Sequence, residues 1–142
     1  MGRWFAGFLA KEGKEIVITG RNEAKLLEAG RQLGVEATTD LASATKGAEI
    51  VLLSVPIDDF EAVVEQLQPH LKPGQIVIDI TSIKTRPVAM MQKHLSAGSI
   101  LGTHPVFGPG ANGIKNQNIV LTPTNERESA LAEKVRQYLE ER

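Results

Sequence analysis

A hydroxyl and an imidazole are the side chains of this 142-residue sequence best suited to moving a proton together. Ser82 follows the apolar run 76–80, in QIVIDITSIK, and His104 follows the run 100–103, in SILGTHPVFGPG. In an open parallel α/β sheet, strand ends such as these face the ligand crevice. An imidazole titrates near neutral pH and can take a proton there, while a neighbouring hydroxyl can fix its tautomer or bridge it to a cofactor. By spacing alone, the plainer account is the better one: a serine capping the next helix and a histidine closing a strand. Lys84 lies close by and can face an anionic ligand, although by position alone a solvated lysine is the better account. His70 and His94 read as surface residues. No cluster shows metal-ligand spacing, and there is no nucleophile elbow.

A second group of residues has the types needed to hold a nucleotide. After the run EIVIT comes TGRNEAK, which offers Arg21, Asn22 and Lys25 but no acid at the strand end. In dinucleotide folds an acid there binds the ribose 2′-hydroxyl, whereas an arginine accommodates a 2′-phosphate. Two cations converging on a phosphate predict NADP, with NAD the alternative; two solvated charges at a helix start are the plain reading. Ser54, Val55 and Pro56 close the most apolar run, EIVLLSVP, and the proline ends the ladder where the backbone can line a cofactor.

These residues need elements to place them. The spacing of Trp4, Phe5, Phe8 and Leu9 predicts a helix over 3–11, stopped at Gly13. Strands are expected at 15–19, 35–38, 49–56, 76–80, 100–103 and 118–123. Helices are expected at 23–33 with Asn22 as cap and Gly34 as stop, at 40–45 from Asp40, after Asp58 as cap, at 86–95, and at 126–141. The run 49–56 has the composition of a central strand buried on both faces. Strands alternating with helices predict the α/β class: a Rossmann-like, doubly wound, mainly parallel sheet in a single domain, 1–142. A dinucleotide fold opens with a strand and a G-x-G-x-x-G turn, whereas this sequence goes from Met1-Gly2 into a helix. Gly2 stands where the third glycine would be. The expectation is a sheet truncated at its N-terminal strand, with a gap that another strand must fill.

Bulk properties narrow the partners. A formal net charge of -1 gives no electrostatic case for nucleic acid or for an anionic membrane. The absence of cysteine removes any disulfide framework and fits a cytoplasmic protein. No apolar run approaches the roughly 18 residues that suggest a membrane span.

IDITSIK (78–84) and GTHPVFGPG (102–110) together resemble the paired signatures of prephenate dehydrogenase, its archaeal-type members in particular. LLSVP stands in the matching order, and MGRWFAGFLAKEG is similar to the end of that family's glycine-rich loop and its first helix. The resemblance covers essentially the whole chain, as the family's nucleotide-binding domain. It implies oxidative decarboxylation of prephenate to 4-hydroxyphenylpyruvate with NAD(P), in tyrosine biosynthesis. It makes His104 the acceptor of the ring-hydroxyl proton and Ser82 the group that orients His104 and contacts the nicotinamide side. Together with the residue readings above, the expected cofactor-binding residues are Gly2, Arg21, Asn22, Lys25, Ser54, Val55, Pro56 and Ser82, with Lys84 beside His104 at the substrate. A helical C-terminal domain, carrying a homodimer interface and a cation for the substrate carboxylates, is expected beyond Arg142. Two rivals remain: another NADP-dependent oxidoreductase of the same fold, and a non-catalytic module that binds a dinucleotide or a protein partner.

Overall fold

The computed structural model describes residues 1–142 and divides into two compact units, Met1–Ala48 and Glu49–Arg142.

In the first unit, helix α1 (Gly2–Lys11) buries Phe5 and Ala6, and Trp4 stacks on Phe8 with ring centroids 5.4 Å apart. Strand β1 (Val17–Thr19) leads into α2 (Glu23–Leu33). The cap of α2 forms as the sequence implies. Asn22 is extended and its side chain accepts from the Lys25 amide at 3.0 Å, satisfying one of the donors a helix start leaves open. Gly34 closes α2 at φ 67°, the left-handed conformation that glycine takes without strain. Strand β2 (Glu36–Thr38) follows, then α3 (Leu41–Lys46), whose cap Asp40 accepts from the Ala42 amide at 3.0 Å. β1 and β2 form a parallel two-stranded sheet in register Val17↔Glu36, Ile18↔Ala37 and Thr19↔Thr38.

The second unit carries strands β3 (Ile50–Leu53), β4 (Ile76–Asp79), β5 (Ser99–Pro105) and β6 (Ile119–Thr122) in the order β3-β4-β5-β6. The first three are parallel, and β6 returns antiparallel to β5. Helix α4 (Phe60–Leu67) fully buries Phe60, Val64 and Leu67, and α5 (Thr85–His94) buries Val88, Met90 and Met91. Spacings of three and four residues, Phe60 to Val64 to Leu67 in α4 and Pro87 and Val88 to Met91 in α5, put one apolar stripe of each helix in the core. Pro87 falls in the first turn of α5, where its missing N–H has no intrahelical use. Helix α6 (Glu126–Glu140) begins with a reciprocal cap. Asn125 accepts from the Glu128 amide at 2.9 Å, and the buried Glu128 carboxylate accepts from the Asn125 side chain and from both the amide and hydroxyl of Thr124.

Three expectations are corrected. The apolar run 49–56 is not a central strand buried on both faces: β3 has one partner, β4, and Ile50 is 52% exposed. Its apolar composition is real, but a strand with a neighbour on one side leaves part of its surface to solvent. No strand pairs with the second edge of β3 or of β1, so the gap anticipated in the sheet is not filled by another strand of this chain. Asp58 does not cap α4. A short 3₁₀ turn, Ile57–Asp59, intervenes, and no side chain caps the helix that follows.

Candidate active site at the carboxyl edge of the sheet

The parallel register places three strand ends side by side. Leu53 pairs with Asp79, and Asp79 with Gly102. Ser54, Val55 and Pro56 therefore leave β3 at the same edge where Thr81 and Ser82 leave β4. His104 lies at this edge too, but inside a strand. β5 runs on through Pro105 because β6 supports it there, with His104 opposite Val120. The sequence ends that strand at 103, since the polarity of His104 hides the continuation.

His104 is partly buried, and its Nδ1 is enclosed with no hydrogen-bond partner. Buried polar atoms are nearly always paired, so such an atom marks a place where a further group is expected. Ser82 is exposed. The apolar side chains next to the pair along the chain, Ile83 and Val106, are 56% and 53% exposed and give this edge an uncovered apolar margin.

Beneath this edge lies a set of contacts that the sequence does not reveal. Asp79 ends β4 with its side chain fully buried, and its Oδ1 accepts from the Thr81 amide at 2.8 Å. The Lys84 ammonium pairs with Asp79 Oδ2 and donates to the Thr103 carbonyl at 2.6 Å. Thr103 Oγ1 donates in turn to the Asp79 carbonyl at 2.8 Å. Burial holds the Lys84 ammonium below the usual lysine range, and it outweighs the opposing pull of Asp79. The signal available was an aspartate within an otherwise apolar run, five residues before a lysine.

The residues of the first unit expected to hold a nucleotide also have defined places. Gly2 is the first residue of α1, a helix whose start has no side-chain cap. Arg21 and Asn22 follow β1 after Gly20, Lys25 lies in the first turn of α2, and all three are exposed.

One grouping away from the sheet edge was also invisible along the chain. His94 Nε2 lies 3.2 Å from Glu61 Oε1 and 3.7 Å from Glu65 Oε1, and Lys93 reaches Glu61 at 3.3 Å. The three acid and imidazole groups come within 4.8 Å of one another, joining α4 to α5. His94, expected at the surface, has a side chain only 15% exposed. Hydrogen bonding, from His94 foremost and then from Lys93, holds the Glu61 carboxyl below its ordinary range.

A parallel α/β sheet with helical crossovers and a polar cluster at its carboxyl edge defines a Rossmann-like dinucleotide-binding fold. The chain belongs to the prephenate dehydrogenase nucleotide-binding domain family, whose model matches residues 5–142. It is 36% identical over 130 residues to a probable arogenate/prephenate dehydrogenase of Methanocaldococcus jannaschii, a match covering 91% of this chain and 29% of that protein. The crystal structure of a Synechocystis arogenate dehydrogenase superposes with a TM-score of 0.81 at 30% identity, over 97% of this chain and 53% of that one. That of a prephenate dehydrogenase from A. aeolicus, in complex with hydroxyphenyl propionate and NAD+, superposes with a TM-score of 0.82 at 24% identity, over 99% and 53%. The chain thus spans less than a third of the first of these proteins and about half of each solved one. No helix is long and apolar enough to cross a membrane.

Proposed function

We propose that this chain is the cofactor-binding part of a dehydrogenase that oxidises and decarboxylates prephenate, using NADP in preference to NAD. The observation that carries the reading is the enclosed, unpartnered Nδ1 of His104 at the sheet edge that also bears Ser82. The relatives' names support the substrate class, and the NAD+ complex of the A. aeolicus enzyme supports the cofactor class.

Taken unit by unit, the residues present have the chemistry such a cofactor needs. Arg21 and Lys25 supply cations for a 2′-phosphate, and the uncapped start of α1 at Gly2 offers backbone amides to an anion. Ser54, Val55, Pro56 and Ser82 would line the nicotinamide side. When bound, the nicotinamide accepts the hydride. His104 and Ser82 divide the remaining work. In this reading the Ser82 hydroxyl oxygen would accept from His104 Nδ1–H, a bond not made in this structure, where Nδ1 has no partner; that tautomer leaves the Nε2 lone pair to take the proton of the substrate's ring hydroxyl. Removing that proton pushes electron density toward the departing hydride, and loss of carbon dioxide aromatises the ring. A homodimer of the longer protein belongs to the same reading. Arogenate is the second substrate to consider, because the M. jannaschii and Synechocystis proteins carry that name.

Calorimetric titration of the chain with NADP and NAD tests the cofactor assignment. Binding of NADP that Arg21→Ala weakens by about tenfold, with NAD affected little, is the expected result; an arginine–phosphate contact supplies roughly this much. Equal loss for both nucleotides would remove the 2′-phosphate assignment, and no binding of either would remove the proposal as a whole.

A further inference from the structure

The sequence leaves Lys84 either solvated or facing an anionic ligand, and the fold pairs it with Asp79 and Thr103. We propose that Lys84, paired with Asp79, is a positioning residue that fixes the backbone entering His104 and does not touch the substrate. The proposal rests on the reading of His104 as proton acceptor.

Two of the three hydrogen-bonding groups of Thr103, the residue before His104, are held by this pair. Its carbonyl accepts from Lys84 Nζ at 2.6 Å, and its hydroxyl donates to the Asp79 carbonyl at 2.8 Å. The Asp79 carboxylate, bonded to the Thr81 amide and to Lys84, ties the same cluster to the segment that leads into Ser82. The lysine therefore joins the ends of β4 and β5 at the points from which the two candidate catalytic side chains depart. An ammonium already matched by a fully buried carboxylate forms a neutral pair and has little net charge left to attract an anionic substrate.

Space for the lysine is built into the strand. A Cβ on Gly102 would stand 2.7 Å from Val88 Cγ2 and 3.3 Å from Lys84 Cδ. The stem of Lys84 thus runs through room that any larger residue at 102 would occupy. Its side chain is only 15% exposed, so the ammonium is directed inward, to Asp79 and Thr103.

The test uses the 142-residue chain and reads His104 directly. Lys84→Met leaves Asp79 buried without its partner and can unfold the chain. The double variant Asp79→Leu with Lys84→Met is therefore made alongside it, since replacing both members of a buried pair by apolar residues is tolerated far better than breaking it. Ring ¹H–¹³C signals of His104 and amide exchange along β5 are measured on the folded proteins. In the double variant the His104 ring signals are expected to move. Exchange at Thr103 and His104 is expected to quicken about tenfold or more, with Val77 and Leu101 unchanged, as for a local loosening. A folded double variant with unchanged His104 signals and exchange would overturn the proposal. The functional reading fails separately, by loss of dinucleotide binding in the unsubstituted chain, because the His104 signals report on the protein without ligand.

Discussion

Two strands of similar composition meet different fates in this protein. In β3, IVLL has a ladder partner on one side and leaves Ile50 52% exposed; in β4, IVID is paired on both sides and Val77 is fully buried. The same contrast separates the two units. Met1–Ala48 has two short parallel strands, and Phe5, Ala6 and Leu26 are its buried apolar residues. Glu49–Arg142 has four strands and a core running from Leu53 to Ala132. Apolar composition proposes burial, but neighbouring strands and covering helices decide it. The residues proposed for catalysis belong to the unit with the broader sheet, and the cations proposed for a phosphate to the unit with the narrower one.

Core truncations test this contrast most strongly. Phe60→Ala should destabilise the second unit by about 3–5 kcal/mol, because Phe60 is fully buried and its removal leaves a cavity. Leu26→Ala should cost the first unit about 2 kcal/mol, the low end of the range for such substitutions, because few buried neighbours surround it. Urea denaturation followed by hydrogen exchange in each unit measures both. Equal costs would show that the first unit is as tightly packed as the second. Cap substitutions give a smaller contrast. Asn22→Ala should cost about 1 kcal/mol. Asn125→Ala should cost closer to 2, since it also removes a donor from the buried Glu128 carboxylate.

Acid should act more weakly still. Hydrogen bonds from Arg136 first, then Gln137, bring Glu133 down to about 2. A carboxyl lowered on folding adds stability that is present above its unfolded value and is lost as pH falls through the folded one. The end of α6 should therefore loosen between about pH 4.5 and about pH 2, with a small effect because these side chains are exposed. Circular dichroism at low and high salt checks it, with less loss on acidification when salt already screens the pair.

Local chemistry was legible in the sequence wherever a residue acts on its own neighbourhood. Asn22 and Gly34 bound α2 as expected, and Asp40 caps α3. Ser82, just past β4, and His104, near the end of β5, share an edge because parallel strands with helical crossovers allow little else. What stayed hidden depends on pairing across distance. Asp79 sits in an apolar run and shows its role only once Lys84 and Thr103 fold over it. Glu61 and His94 are 33 residues apart, so no spacing rule connects them. The antiparallel return of β6 extends β5 by residues whose polarity argues against a strand.

That extension has a consequence for fidelity. β5 exchanges partners along its length, parallel to β4 up to Gly102 and antiparallel to β6 from there to Pro105. Side chains on a strand alternate between faces, so a slip of one residue would turn His104 to the opposite side of the sheet. Two ladders of opposite sense meet at Gly102, and a shift that satisfied one would break the other. The strand therefore carries a built-in check on its own alignment, and the imidazole inherits its address from that agreement.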